Sequence, residues 1–204
     1  MDVYLLPLDA VYERLDEELA RLFPNRMKKA AACRSGRQRL GEIGAAVLLR
    51  EVLHIGESDL TLLPHGKPIC AKSKPFNLSH GGDFAVLAVG ERAVGADIEK
   101  ADREVSDEVA KRMFTPEEAA GDRLAVWTMK EALAKAIGDG LSRADGDRSV
   151  LPLLKGEPIG VGGKTYFGQS FLIEGHRLAL CGEGEPFEVV FHRPTRVELV
   201  TPDK

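Results

Sequence analysis

Long apolar runs are missing from this chain, and cysteine is scarce. No stretch approaches the roughly 18 consecutive apolar residues of a membrane-spanning helix, which argues against an integral membrane protein. The opening Met1-Asp2-Val3-Tyr4-Leu5-Leu6 lacks the basic start and extended apolar segment of a secretory signal, so a cytoplasmic location is the expectation. Cys33, Cys70 and Cys181 are odd in number, widely separated and without C-x-x-C spacing. That pattern argues against a disulfide framework and a cysteine zinc site, and points to three reduced, semi-buried thiols. No residue-level internal repeat is visible either.

What is present is an ordinary core and an uneven charge. With 204 residues, 44% of them apolar, the chain can bury a core as one compact domain or two small halves. The net charge is -4, yet residues 21–50 hold Arg21, Arg26, Lys28, Lys29, Arg34, Arg37, Arg39 and Arg50 against the single acid Glu42. A basic patch on an acidic protein suits a small polyanion better than a nucleic-acid duplex, which usually calls for a basic domain.

Two stretches carry the chemistry. Trp127-Thr128-Met129-Lys130-Glu131-Ala132-Leu133-Ala134-Lys135-Ala136 contains good helix formers and no Gly or Pro. Met129, Ala132, Leu133, Ala136 and Ile137 follow the spacing of a buried helical stripe. Glu131 and Lys135, four apart, share a face largely opposite that stripe, with Lys130 at its flank, so one carboxylate and two ammonium groups should line the accessible side. Alone, this is also what a solvated helix with an i,i+4 ion pair looks like. Upstream, Val94-Gly95-Ala96-Asp97-Ile98-Glu99 ends a β-type run, and alternation points Asp97 and Glu99 to one side. Two hard carboxylates there make either a solvated strand end or half of a Mg²⁺ site. With Glu131 as a third oxygen ligand and Lys130 and Lys135 to neutralise phosphate, the set describes metal-assisted phosphoryl transfer.

These two stretches, in this order and at this separation, resemble the two signature motifs of the 4′-phosphopantetheinyl transferases of the larger, surfactin-synthetase-activating (Sfp) type. The resemblance runs from about Pro24 to Leu141. It implies an α+β fold built as a pseudo-dimer of two similar halves, each a small, mainly antiparallel sheet packed with helices, with the cofactor between them. A boundary near Arg92 gives halves of 1–92 and 93–204, the first contacting cofactor phosphates and the second carrying the metal and catalytic motifs.

Taken in order, the chain opens with a strand at residues 2–6, and Asp9 can cap a helix running to about Phe23. Pro24 starts a second helix, and Gly36 precedes a third through Leu53 with Ile43, Val47 and Leu48 buried. The resemblance places the 3′-phosphate and pyrophosphate of coenzyme A on this region: Arg26 and Lys29 fall where the family carries its basic pair, and Arg39 is a further candidate. The family also tends to place an Arg near Gly41, where this chain has none. His65-Gly66-Lys67-Pro68 follows a short alternating run and resembles the family's G-K-P motif, whose Lys contacts cofactor phosphate. Phe76-Asn77-Leu78-Ser79-His80 resembles the strand that follows it, which makes Ser79 and His80 phosphate contacts too. A Ser/His nucleophile pair is unlike this arrangement, because adjacent strand residues face opposite ways and no G-x-S-x-G turn surrounds Ser79.

Residues 83–89 are apolar enough for a central strand, with the motif strand at 93–99 expected to pair with it. A helix follows at 107–114. Thr115, Pro116 and Glu118 then form a helix start with a capping box. The resemblance gives this stretch to carrier-protein contact, with Met113 and Phe114 as an apolar anchor or as core. Gly138 caps the motif helix, and Asp139 stands where the family often has a basic residue. Beyond Val150, β-type runs at 166–167, 171–173, 178–181, 187–191 and 197–200 read as an antiparallel meander.

The function so implied is Mg²⁺-dependent transfer of the phosphopantetheine arm of coenzyme A to a serine of an acyl or peptidyl carrier protein, by a monomer that binds neither nucleic acid nor membrane. Asp97, Glu99 and Glu131 would hold the metal; Lys135 and Lys130 would stabilise phosphate charge; Glu131 or a metal-bound water would deprotonate the serine. A non-catalytic relative that only holds coenzyme A or docks carriers, and a hydrolase releasing free phosphopantetheine, are the alternatives.

Overall fold

The computed structural model describes residues 1–194. Strand β1 (Asp2–Pro7) leads through a 3₁₀ turn (Leu8–Arg14) to helices α1 (Glu17–Leu22), α2 (Pro24–Ala32) and α3 (Gly36–Leu53). A small hairpin, β2 (Thr61–Leu62) and β3 (Pro68–Ile69), precedes strands β4 (Phe76–Gly81), β5 (Phe84–Val89) and β6 (Val94–Lys100). Helices α4 (Asp107–Met113), α5 (Pro116–Ala119), α6 (Arg123–Ile137) and α7 (Leu151–Leu154) follow. Strands β7 (Ile159–Val161), β8 (Lys164–Ile173), β9 (His176–Glu183) and β10 (Val190–His192) complete the described chain.

Strand alternation sorts the apolar residues into three cores. Val3, Leu5, Val86 and Ala88 of one sheet meet Ala96, Ile98, Leu178 and Leu180 of the other. The opposite side chains, Leu6, Ala85 and Leu87, pack under α3 through Val47 and Leu48. Ala179 and Cys181 pack under α6 through Met129 and Leu133. Two sheets, ordered β10-β1-β5-β4 and β6-β9-β8-β7, are thus stacked face to face with helices outside each. The fold is α+β, as expected.

Several local expectations change. The first helix is capped by Asp16, whose carboxylate accepts from Leu19 N at 2.7 Å, and not by Asp9, which lies in the 3₁₀ turn. Strand β6 does not pair with β5; β5 is flanked by β1 and β4, and β6 pairs antiparallel with β9. The runs at 166–167 and 171–173 are one strand, β8. β7, β8 and β9 form the expected meander, but β10 leaves it to run parallel to β1, crossing the boundary expected at 92. Met113 and Phe114 are 5% and 8% exposed, so they belong to the core under α6 and offer no anchor to a partner. The run at 197–200 lies outside the described residues.

Helix α6 is fixed at both ends: Asp122 accepts from Ala125 N at 3.0 Å, and Gly138 turns left-handed at φ 93°. It lies against β6 at Gly95, where a Cβ would stand 1.9 Å from Ala132 O and 2.4 Å from Ala136 N. Both obstacles are helix backbone, so nothing can swing aside. Gly95→Ala is expected to cost about 3 kcal/mol, a fall in Tm on the order of 10 °C in a thermal melt; an unchanged Tm would mean the helix does not rest on this residue.

Candidate active site

The alternation that sends Ala96 and Ile98 into the inter-sheet core turns Asp97 toward α6 and β4. Lys135 reaches across from α6, and its Nζ donates to Asp97 Oδ1 at 2.6 Å, to Ser79 Oγ at 3.2 Å and to Ala96 O at 3.2 Å. Ser79 on β4 donates to the same Asp97 oxygen at 3.1 Å. β4 is held against β6 by Ala96 N, which donates to Asn77 Oδ1 at 2.9 Å. Lys135 also lines a cleft of about 210 Å³ with His65, Lys67, Asn77 and Gly138.

Around this knot the charges are unbalanced. Asp97 is 5% exposed, and its Oδ2 is buried without a hydrogen-bond partner among the described residues. Glu131, one helical turn before Lys135, makes no hydrogen bond or ion pair among the described residues. Burial first, then the nearby Asp97 charge, raise its pKa, against the opposing pull of Lys135 and Arg103. Glu99 lies two residues from Asp97 on the same side of β6, but its carboxylate is paired with Arg103, four residues on. Arg103 itself sits over the Trp127 ring at 6.0 Å.

The expected three-carboxylate convergence is therefore not drawn together: among the described residues no group of three or more His, Cys, Asp or Glu side chains is placed to grip an ion. A divalent cation nonetheless fits the donors of Asp97 and Glu131. These are hard oxygens, one of them orphaned, in two carboxylates whose mutual repulsion an ion would relieve. Arg103 pairs with Glu99 through Oε1, so Glu99 can join them through its second oxygen or by turning away from Arg103.

Two lysines lie elsewhere than expected. Lys130 is not on the accessible side of α6: it is 2% exposed, with Nζ 3.1 Å from Glu118 Oε2 and donating to Asp145 O and Arg148 O. One residue before Glu131 means about 100° around the helix, enough to turn Lys130 inward toward α5. Lys67 does not present its ammonium to solvent either. Its three N–H groups meet three carbonyls, Lys135 O at 2.6 Å, Val94 O at 3.0 Å and Ala136 O at 3.3 Å, so it ties the last turn of α6 to the start of β6. Burial pulls its pKa down to about 8.

Arg26, Lys29 and His80 gather around a side chain to which the sequence gave no role. Arg26 and Lys29 of α2 lie 2.8 and 2.5 Å from the two oxygens of Glu42 on α3, and His80 Nε2 lies 3.5 Å from Oε1. Burial alone would raise the Glu42 pKa, but His80, Lys29 and Arg26 outweigh it and hold it at about 2. Its signal in the sequence was its position, the one acid against the eight bases of residues 21–50, buried in the middle of α3. A Cβ on Gly41 would stand 2.5 Å from the His80 ring, so His80 fills the place near which the resemblance expected an Arg. Arg39 stays outside this group, exposed, with Nη2 3.5 Å from Cys33 O.

Comparison with known proteins gives one consistent answer. Residues 93–181, from β6 to β9, match the family described as the 4′-phosphopantetheinyl transferase superfamily. The chain is 33% identical over 170 residues to 4′-phosphopantetheinyl transferase psf-1 of Bacillus pumilus, covering 69% of each chain. It is 32% identical over 120 residues to 4′-phosphopantetheinyl transferase Sfp of Bacillus subtilis, covering 50% of this chain and 52% of that one. It is 30% identical over 166 residues to a phosphopantetheinyl transferase of Thraustochytrium sp., covering 66% and 58%.

Proposed function

Because the chain belongs to the 4′-phosphopantetheinyl transferase superfamily, we propose that it transfers the 4′-phosphopantetheine group of coenzyme A to a serine hydroxyl of an acyl or peptidyl carrier protein. Adenosine 3′,5′-bisphosphate is the leaving group. The observation that carries the reading is the meeting of Asp97 and Ser79 on Lys135, which lines a cleft, near a Glu131 of raised proton affinity. We read the two halves, divided near Arg92, as the paired halves the family fold implies, with the cleft between them.

In this reading the serine oxygen attacks the β-phosphorus of the coenzyme A diphosphate, and the bond from that phosphorus to the oxygen bridging the diphosphate breaks. Glu131, which makes no hydrogen bond or ion pair among the described residues and whose proton affinity is raised by burial and by Asp97, takes the serine proton. Asp97 and Ser79 hold the Lys135 ammonium where negative charge develops on the phosphates. Asp97 and Glu131, joined by Glu99, would hold Mg²⁺, which when bound supplies charge neutralisation to the diphosphate.

Incubation with an apo carrier, coenzyme A and Mg²⁺, followed by mass spectrometry of the carrier, tests the proposal. A carrier heavier by one phosphopantetheine supports it. An unmodified carrier with intact coenzyme A leaves only the binding alternative, and free phosphopantetheine points to hydrolysis.

A second measurement needs no turnover. A carboxyl with a raised folded-state pKa favours folding only while protonated, so its contribution is lost as pH rises from the unfolded value through the folded one. Above that window the metal-free protein carries the whole penalty of Glu131. Mg²⁺ is therefore expected to raise Tm at pH 7.5, and Glu131→Gln to raise it without Mg²⁺ and to blunt the response to the ion. A wild-type Tm indifferent to Mg²⁺ would count against the Asp97 and Glu131 pair as its holders.

A further inference from the structure

The anion-binding role given to Arg26, Lys29 and His80 rests on the transferase reading, but their arrangement poses a question of its own. Three cationic or protonatable groups, from α2 and β4, close on one carboxylate of α3. Glu42 is 4% exposed and sits inside an 18-residue helix, whereas the Lys29 side chain is 69% exposed. A flexible ammonium in water loses rotamer freedom when it grips a ligand, and a fixed acceptor removes that loss beforehand. The Arg26 guanidinium has five N–H donors and the Lys29 ammonium three; one contact apiece to Glu42 leaves the others for an incoming anion.

We propose that Glu42 is the positioning residue of this phosphate subsite: a buried carboxylate on α3 that fixes Arg26, Lys29 and His80 around the phosphomonoester end of the nucleotide. The competing effect has the opposite sign. A negative charge this close also repels phosphate and occupies donors that phosphate would use. Removing it should tighten binding if repulsion dominates and loosen binding if organisation does.

The test is calorimetric binding of adenosine 3′,5′-bisphosphate and of adenosine 5′-monophosphate, without carrier or turnover, so that it stands apart from the transfer assay. Glu42→Gln removes the charge and keeps the shape; Glu42→Asp keeps the charge and withdraws it by one methylene. Both are expected to weaken binding of the bisphosphate about tenfold or more, while the monophosphate, which lacks the 3′-phosphate, changes less than threefold. With coenzyme A and a carrier, KM for coenzyme A should rise with kcat kept within about twofold. Melting curves establish that each variant is folded; if Gln unfolds the protein, Asp alone decides. Tighter or unchanged bisphosphate binding in the folded variant, or equal loss for both nucleotides, would overturn the proposal. A wild type that shows no preference for the bisphosphate would instead remove the subsite reading on which it rests.

Discussion

Asp97→Asn is expected to lower carrier loading by about 10²–10³-fold while the protein stays folded. The carboxylate does three things at once: Oδ1 receives the Lys135 ammonium at 2.6 Å and the Ser79 hydroxyl at 3.1 Å, its charge raises the proton affinity of Glu131, and Oδ2 is a buried oxygen without a hydrogen-bond partner among the described residues. Asparagine keeps one acceptor but loses the charge, and it puts an N–H₂ donor in place of an oxygen. Lys135 would no longer be drawn to one place, and Glu131 would lose the neighbour that favours its proton. The stability change should be small by comparison. The Lys135 side chain is 28% exposed and can turn to water, so a loss of about 1 kcal/mol, or 2–4 °C in Tm, is expected. Single-turnover loading followed by mass spectrometry, beside a thermal melt, separates the two effects. A folded Asn variant loading within tenfold of wild type would show that Asp97 is not at the centre of the chemistry.

What the sequence revealed of this site and what it hid divide along a physical line. Local periodicity placed α6, its glycine cap and the capping box at Thr115 and Glu118, because those depend on neighbours within four residues. Alternation along β6 put Asp97 and Glu99 on one side, as two-residue spacing requires. Partners distant in sequence were illegible. Strand β6 reads equally well as a neighbour of β5, yet its ladder runs to β9, some eighty residues on, and the link from β10 to β1 spans nearly the whole described chain. The same blindness misplaced side chains. Nothing near Lys67 announced three carbonyls waiting at the end of α6, and nothing near Glu42 announced Arg26, Lys29 and His80. Gly95 carried no sign that a helix backbone would stand within 2 Å of its missing Cβ.

Lys130 is the sharpest case, and Lys130→Met is expected to be among the most destabilising single changes in the molecule. Its ammonium and the Glu118 carboxylate are 1% and 0% exposed and stand 3.1 Å apart. Glu118 is fully engaged: Oε2 also accepts from Thr115 N at 2.8 Å and Oε1 from Val150 N at 2.8 Å, so one side chain joins α5, α6 and the segment before α7. Removing the ammonium leaves a carboxylate in the core without a counter-charge. That commonly costs about 3–5 kcal/mol, a fall in Tm on the order of 10 °C here. Glu118→Gln should cost a comparable amount, because an amide N–H₂ would face either the ammonium or a backbone N–H. If the pair acts as a unit, Lys130→Met with Glu118→Gln should lose less than the sum of the two, by about 1–3 kcal/mol in a denaturant double-mutant cycle. The same protein settles whether Lys130 also serves the phosphates. A purely structural lysine gives a Met variant whose kcat, measured well below its Tm, stays within a few-fold of wild type. A group that touches the diphosphate gives a folded variant that loads carrier about 10²-fold more slowly, and a cycle restored in stability but not in rate would assign the residue to both tasks.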